Sequence, residues 1–136
     1  MSRTQIVLLH VSLIIVTITG VIFAWMKYAM HTDDPFAVAN HPWQPYVLDL
    51  HVIFAPLLVF AIGWIFGDHI LLKYRLSPRK RKSGLSAMWL IAPMIMSGYL
   101  IQVLTSESLQ YGSRITHWVT SGIFVLAYAV HQYLEK

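Results

Sequence analysis

Residues 6–25 read IVLLHVSLIIVTITGVIFAW. Twenty residues pass without a charge, and about 20 apolar residues are what a helix needs to cross a bilayer core. Three further stretches meet or nearly meet that length: Leu50 to Gly67, Leu85 to Thr105 and Ile115 to Leu134. The helices are expected to run somewhat beyond them, over about 5–30, 47–72, 84–105 and 113–134. The predicted fold is therefore all-α, an integral membrane four-helix bundle forming a single domain over residues 1–136. The first stretch does not read as a secretory signal. It is too long, only Arg3 precedes it, and no small-residue cleavage pattern follows. No internal repeat or low-complexity run is legible along the chain.

Composition agrees. Of the 136 residues, 57% are hydrophobic and 12% charged, against about 45–50% and 25% in soluble domains. The chain has no cysteine. Disulfides, thiol redox chemistry, iron–sulfur ligation and covalent c-type haem attachment are thereby excluded. Seven histidines and many aromatic residues remain, so metal or redox chemistry must run through imidazole.

Lysine and arginine set the expected orientation. The second connection, KYRLSPRKRKSG from Lys73 to Gly84, carries six basic residues and no acid. It reads as a cytoplasmic topogenic loop, with no nucleic acid partner implied, and both termini are then cytoplasmic. The first connection, HTDDPFAVANHPWQPY from His31 to Tyr46, faces the other side with the short loop around Glu107 to Ser113. The net charge of +4 follows from this topology. Pro56 and Pro93 are expected to kink their helices. Gly20, Gly63, Gly98 and Gly122 serve either close helix packing or space for a flat cofactor.

Ionisable residues inside a membrane are costly and point to function. His10 lies in the first span, His51 and His69 in the second, and His117 and His131 in the fourth. His117 and His131 are fourteen residues apart, which leaves them about 40° apart in rotation and about 21 Å apart along the axis. Ser121, Phe124 and Tyr128 fall on the same face. One side of this helix can thus hold a stacked pair of haems, one per leaflet. His51 and His117 are each expected about four residues inside the non-cytoplasmic ends of their helices, at matching depth. At the cytoplasmic level His10, His69 and His131 are available. His51 and His69, eighteen residues apart, share a face on a uniform α-helix, with a rise of about 27 Å. Two imidazoles on one iron make an electron-transfer haem without an open position. Depth-matched imidazole pairs in apolar helices favour haem over copper or a di-iron centre.

The pattern resembles the four-helix di-haem cytochrome b subunits that anchor formate dehydrogenases and nickel–iron hydrogenases in bacterial-type inner membranes. The resemblance is carried by His10 in LLHVSLIIVTITG, His51 in LDLHVIFAP, and His117 with His131 in RITHWVTSGIFVLAYAVHQYL. It implies two b-type haems, His51 with His117 on the outer iron and His10 with His131 on the inner, His69 being the alternative to His10. It also implies a multi-pass electron-transfer subunit working between a quinone pool and a partner such as a c-type cytochrome, a molybdenum enzyme or a hydrogenase. Arg114, one turn before His117, is expected to pair with a haem propionate or to mark the interface. Asp68 and His69 form either an interfacial pair or a proton route to a quinone. His31 and His41 read as loop histidines, Asp33, Asp34 and Asp49 as a mildly acidic outer face, and Trp43 and Tyr46 as interfacial anchors. Two rivals remain: a cofactor-free structural or assembly subunit, and a histidine-based metal or proton conduit.

Overall fold

A computed structural model of the chain describes residues 2–30, 41–72 and 81–134, without the side chains of 68, 69, 81–86 and 134. The architecture is all-α with four long helices: α1 (Arg3–Tyr28), α2 (Gln44–Ile65), α3 (Arg81–Val103) and α4 (Glu107–Leu134). A six-residue π-helix, Phe66–Leu71, extends α2. α1 packs on α2 and α3 packs on α4. The chain thereby divides into two compact units, Met1–His69 and Ile70–Lys136.

α1 starts on a reciprocal cap. Ser2 Oγ accepts from the Gln5 backbone N–H at 3.2 Å, and Gln5 Oε1 accepts from the Ser2 N–H at 2.7 Å. Two donors that the first turn leaves open are thus satisfied. α2 starts at the sequence His-Pro-Trp-Gln-Pro. Pro45 suits a first-turn position because its missing N–H would have had no helical partner. His41 Nδ1 accepts from the Trp43 N–H at 3.2 Å, giving this loop histidine a role at the helix entry. α3 starts at Arg81, inside the basic run, and residues 73–80 lie outside the described part. α4 starts six residues earlier than expected. The stretch around Glu107 to Ser113, read as a loop, is helical, and the connection to α3 is only residues 104–106. Glu107 stands in the first turn, where a negative charge favours the helix dipole.

Gln110 closes the α3–α4 turn. Its Nε2 donates to the carbonyls of Ile101 and Leu104 at 3.2 and 3.4 Å, and its Oε1 accepts from Arg114. It supplies donors to the end of α3, where helical carbonyls lack partners. Gln110→Ala is expected to lower the stability of this hairpin by about 1 kcal/mol, read as a lower thermal midpoint in detergent. An unchanged midpoint would show that water replaces the amide fully.

The packing surfaces are unusual for a soluble fold. Buried positions include Ser12 (2% exposed), Ser97 (3%), Thr19, Ser113 and Gln5, whereas Trp89, Val103 and Leu126 are each about 70% exposed. Ser12, Thr19, Ser97 and Ser113 each return their hydroxyl proton to a carbonyl one turn back in their own helix. Small residues thus lie at the helix contacts and large apolar residues face outward. By length and composition α1 and α2 can each cross a membrane. In α3 the apolar segment among the described residues is the shorter Ala87–Val103. α4 does not reach the same standard. Its histidines, hydroxyls and Arg114 dilute the apolar content, so the expectation of four spans is met on these grounds by two.

Candidate histidine sites

His51 projects from α2 onto α1. Its Nδ1 lies 3.0 Å from the Val16 carbonyl oxygen and 3.3 Å from Thr19 Oγ1. A carbonyl oxygen can only accept, so Nδ1 carries the proton and Nε2 holds the lone pair in the neutral ring. The ring rests against Gly20. A methyl group built there would come within 3.0 Å of His51 Cε1. Thr19 passes its own proton to the Ile15 carbonyl at 2.7 Å and so keeps a lone pair for the imidazole N–H.

His117 repeats these contacts in the other hairpin. Its Nδ1 is 3.0 Å from the Met94 carbonyl and 3.4 Å from Ser97 Oγ. Ser97 donates to the Pro93 carbonyl at 2.6 Å. A methyl on Gly98 would meet His117 Cε1 at 3.1 Å. Gly20 and Gly98 are therefore packing glycines whose contact is an imidazole. Gly63 and Gly122 have nothing within 4 Å of a built methyl.

His10 is half-buried on α1. Its Nδ1 donates to the Ile6 carbonyl of the same helix at 2.7 Å, which again leaves Nε2 as the basic nitrogen. On α4 the expected face is present. His117, Ser121, Tyr128 and His131 are half-buried and Phe124 is buried, while Trp118, Gly122, Leu126 and Val130 are exposed. Phe124 and Tyr128 stack with centroids 6.2 Å apart, and Ser121 donates to the His117 carbonyl. The early start of α4 sets His117 ten residues into its helix, against seven for His51. The sequence expectation had placed both about four residues inside.

His69 falls within the π-helix. Its side chain and that of Asp68 lie outside the described residues, as do His31, Asp33 and Asp34. The shared face inferred for His51 and His69 assumed a uniform α-helix. A π-turn closes from i to i+5 and rotates less per residue, so that register argument does not carry through Phe66–Leu71. Arg114 is half-buried and bonded to Gln110. With Glu107, Gln110 and Tyr111 it lines an open hollow of about 330 Å³ at the start of α4. Asp49, Trp43 and Tyr46 are exposed. Among the described residues no three of His, Cys, Asp or Glu gather as a metal-binding group.

No protein family, curated protein or solved structure matches this chain. The resemblance to di-haem cytochromes b thus rests on the histidine pattern alone. Thr19 and Ser97, the hydroxyls beside the two rings, were not singled out in sequence. The signal open to inspection was a hydroxyl residue followed by glycine within an apolar span. Ser121–Gly122 carries the same signal, yet among the described residues nothing lies within 4 Å of a methyl built on Gly122, so the dipeptide alone does not select the sites.

Proposed function

We propose that the chain is a membrane-embedded subunit of a respiratory redox complex that holds two b-type haems. His51 and His117 would ligate one iron, and His10 (or His69) with His131 the other. Arg114 would neutralise a propionate. The subunit would pass electrons between a partner redox protein and the quinone pool of a bacterial-type inner membrane, with Asp68 and His69 placed to move protons if quinone binds nearby. The observation that carries this reading is the bonding of three imidazoles through Nδ1 to helix carbonyls. Histidines that bind metals almost always donate the second ring N–H to such an acceptor, which fixes the ring and raises its basicity. Haem would supply reversible one-electron chemistry at iron, and the chain would supply axial bases, burial and a dry surrounding. The membrane setting is supported by two helices of spanning length and apolarity.

The cofactor-free alternative has an observation of its own, and on the contacts displayed it is the more economical reading. The His51 and His117 rings already join helix to helix in glycine notches. Such joints stabilise a structural or assembly subunit without further chemistry. A pyridine haemochrome assay on the chain extracted from membranes with its native partners separates the two. The haem reading expects two haem b per chain. Absence of haem from that material overturns it and leaves the structural subunit.

A further inference from the structure

The two hairpins solve one local problem in one way. In α1 the carbonyl of Val16, the hydroxyl of Thr19 and the bare backbone of Gly20 receive His51 from α2. In α3 the carbonyl of Met94, the hydroxyl of Ser97 and the backbone of Gly98 receive His117 from α4. The order is the same in both: carbonyl at i, hydroxyl at i+3, glycine at i+4, histidine on the next helix. Corresponding distances agree within 0.1 Å, at 3.0 and 3.0 Å to the carbonyl and 3.3 and 3.4 Å to the hydroxyl. The connections differ, with thirty-one residues from Gly20 to His51 and nineteen from Gly98 to His117. Sequence periodicity therefore hides the repeat.

We propose that these are twin tautomer seats, and that Thr19, Gly20, Ser97 and Gly98 are positioning residues for His51 and His117. Each element has a separate task. The helix carbonyl uses one lone pair for its own i+4 N–H and offers the second to the imidazole. The hydroxyl is turned by its bond to the preceding turn, so an oxygen lone pair faces the ring. Glycine lets the ring approach closely enough for both bonds. The outcome is a neutral imidazole with its proton on Nδ1 and its basic lone pair on Nε2. In water a neutral imidazole exchanges between two tautomers, and Nε2 can bind a metal only in the one whose proton sits on Nδ1. Use of these bases as haem ligands rests on the function proposed above. The tautomer itself does not.

The test is nitrogen NMR of the full chain, labelled with 15N-histidine and purified in detergent at mildly alkaline pH, in the reduced diamagnetic state if haem is bound. His51 and His117, identified by the signals lost in His51→Gln and His117→Gln, are expected as Nδ1–H rings. His41 is the internal contrast, because its Nδ1 accepts a backbone proton and its ring is expected as Nε2–H. Gly20→Ala is expected to shift the His51 pattern toward Nε2–H and leave His117 unchanged, and Gly98→Ala the reverse. Thr19→Val is expected to move the His51 Nδ1 resonance and Thr19→Ser to restore it. Wild-type rings found as Nε2–H overturn the seats, as do patterns unmoved by the glycine changes. The wild-type spectrum decides even if a variant fails to fold. Nδ1–H rings in a chain without haem support the seats while removing the haem reading. Nε2–H rings in a chain with two haems remove the seats and show that these two rings do not bind iron through Nε2.

Discussion

Gly98→Ala is expected to destabilise the α3–α4 hairpin by about 1–2 kcal/mol, and Gly20→Ala to do the same for α1–α2. Two effects oppose each other. Alanine gains about 1 kcal/mol of helix propensity over glycine. Against this, the new methyl stands 3.0–3.1 Å from an imidazole carbon, and such overpacking costs about 1–3 kcal/mol. A ring that gives way by a few tenths of an ångström lengthens its bond to the carbonyl, which adds up to the worth of a hydrogen bond, about 1 kcal/mol. The cost therefore outweighs the gain. Gly122→Ala is the control: nothing lies within 4 Å of its methyl, so the propensity gain stands alone and the midpoint should hold or rise. Thermal unfolding in detergent reads all three. A sharper check is the double change Gly98→Ala with His117→Ala. With the ring gone, the methyl has room, and Gly98→Ala should become neutral or stabilising. Equal cost in both backgrounds would sink the claim that the histidine is what the glycine accommodates.

His117→Ala and His51→Ala carry the largest functional effect. Under the haem reading each would remove one of two haems, because the iron would lose one of the two imidazoles that hold it. His10→Ala is expected to remove the other, and His69→Ala to leave both. Haem per chain, measured by haemochrome, should therefore fall from two to one in the first three variants. Under the cofactor-free reading no variant changes haem content. His51→Ala and His117→Ala then cost their interhelical bonds, about 1–3 kcal/mol each. The His10 variant thus separates the readings by its haem content. Loss of haem with His69→Ala and retention with His10→Ala would reassign the inner ligand.

Much of the fold is legible in the sequence because the signals are one-dimensional. A run such as residues 6–25 reports a long apolar helix whatever it packs on, and four such runs yield the four helices observed. The 14-residue spacing of His117 and His131 reports one face, since both lie on an uninterrupted helix, and the burial of that stripe agrees. Where the helix is not uniform the same arithmetic fails. The π-turn of Phe66–Leu71 breaks the register from His51 to His69, and nothing in FGDHIL announces it. The α4 start was misplaced for a related reason. Ser, Gln and Gly around residues 106–113 look like a loop, but Gln110 ties that stretch to the end of α3 and makes helix the better partner.

The sequence alone determined that this chain is helical and apolar, that it lacks thiol chemistry, and that its candidate chemistry lies in histidine. These properties depend on composition and on spacing along one strand of chain. Only the tertiary structure decided which glycines matter, which hydroxyls accept, and which ring nitrogen bears the proton. Gly98 and Gly122 are both glycines preceded by serine within long helices, and a histidine from the next helix meets a built methyl at Gly98 but not at Gly122. A hydrogen bond between a ring and a carbonyl 23 or 35 residues away is set by how two helices pack, and packing depends on all the side chains between them at once.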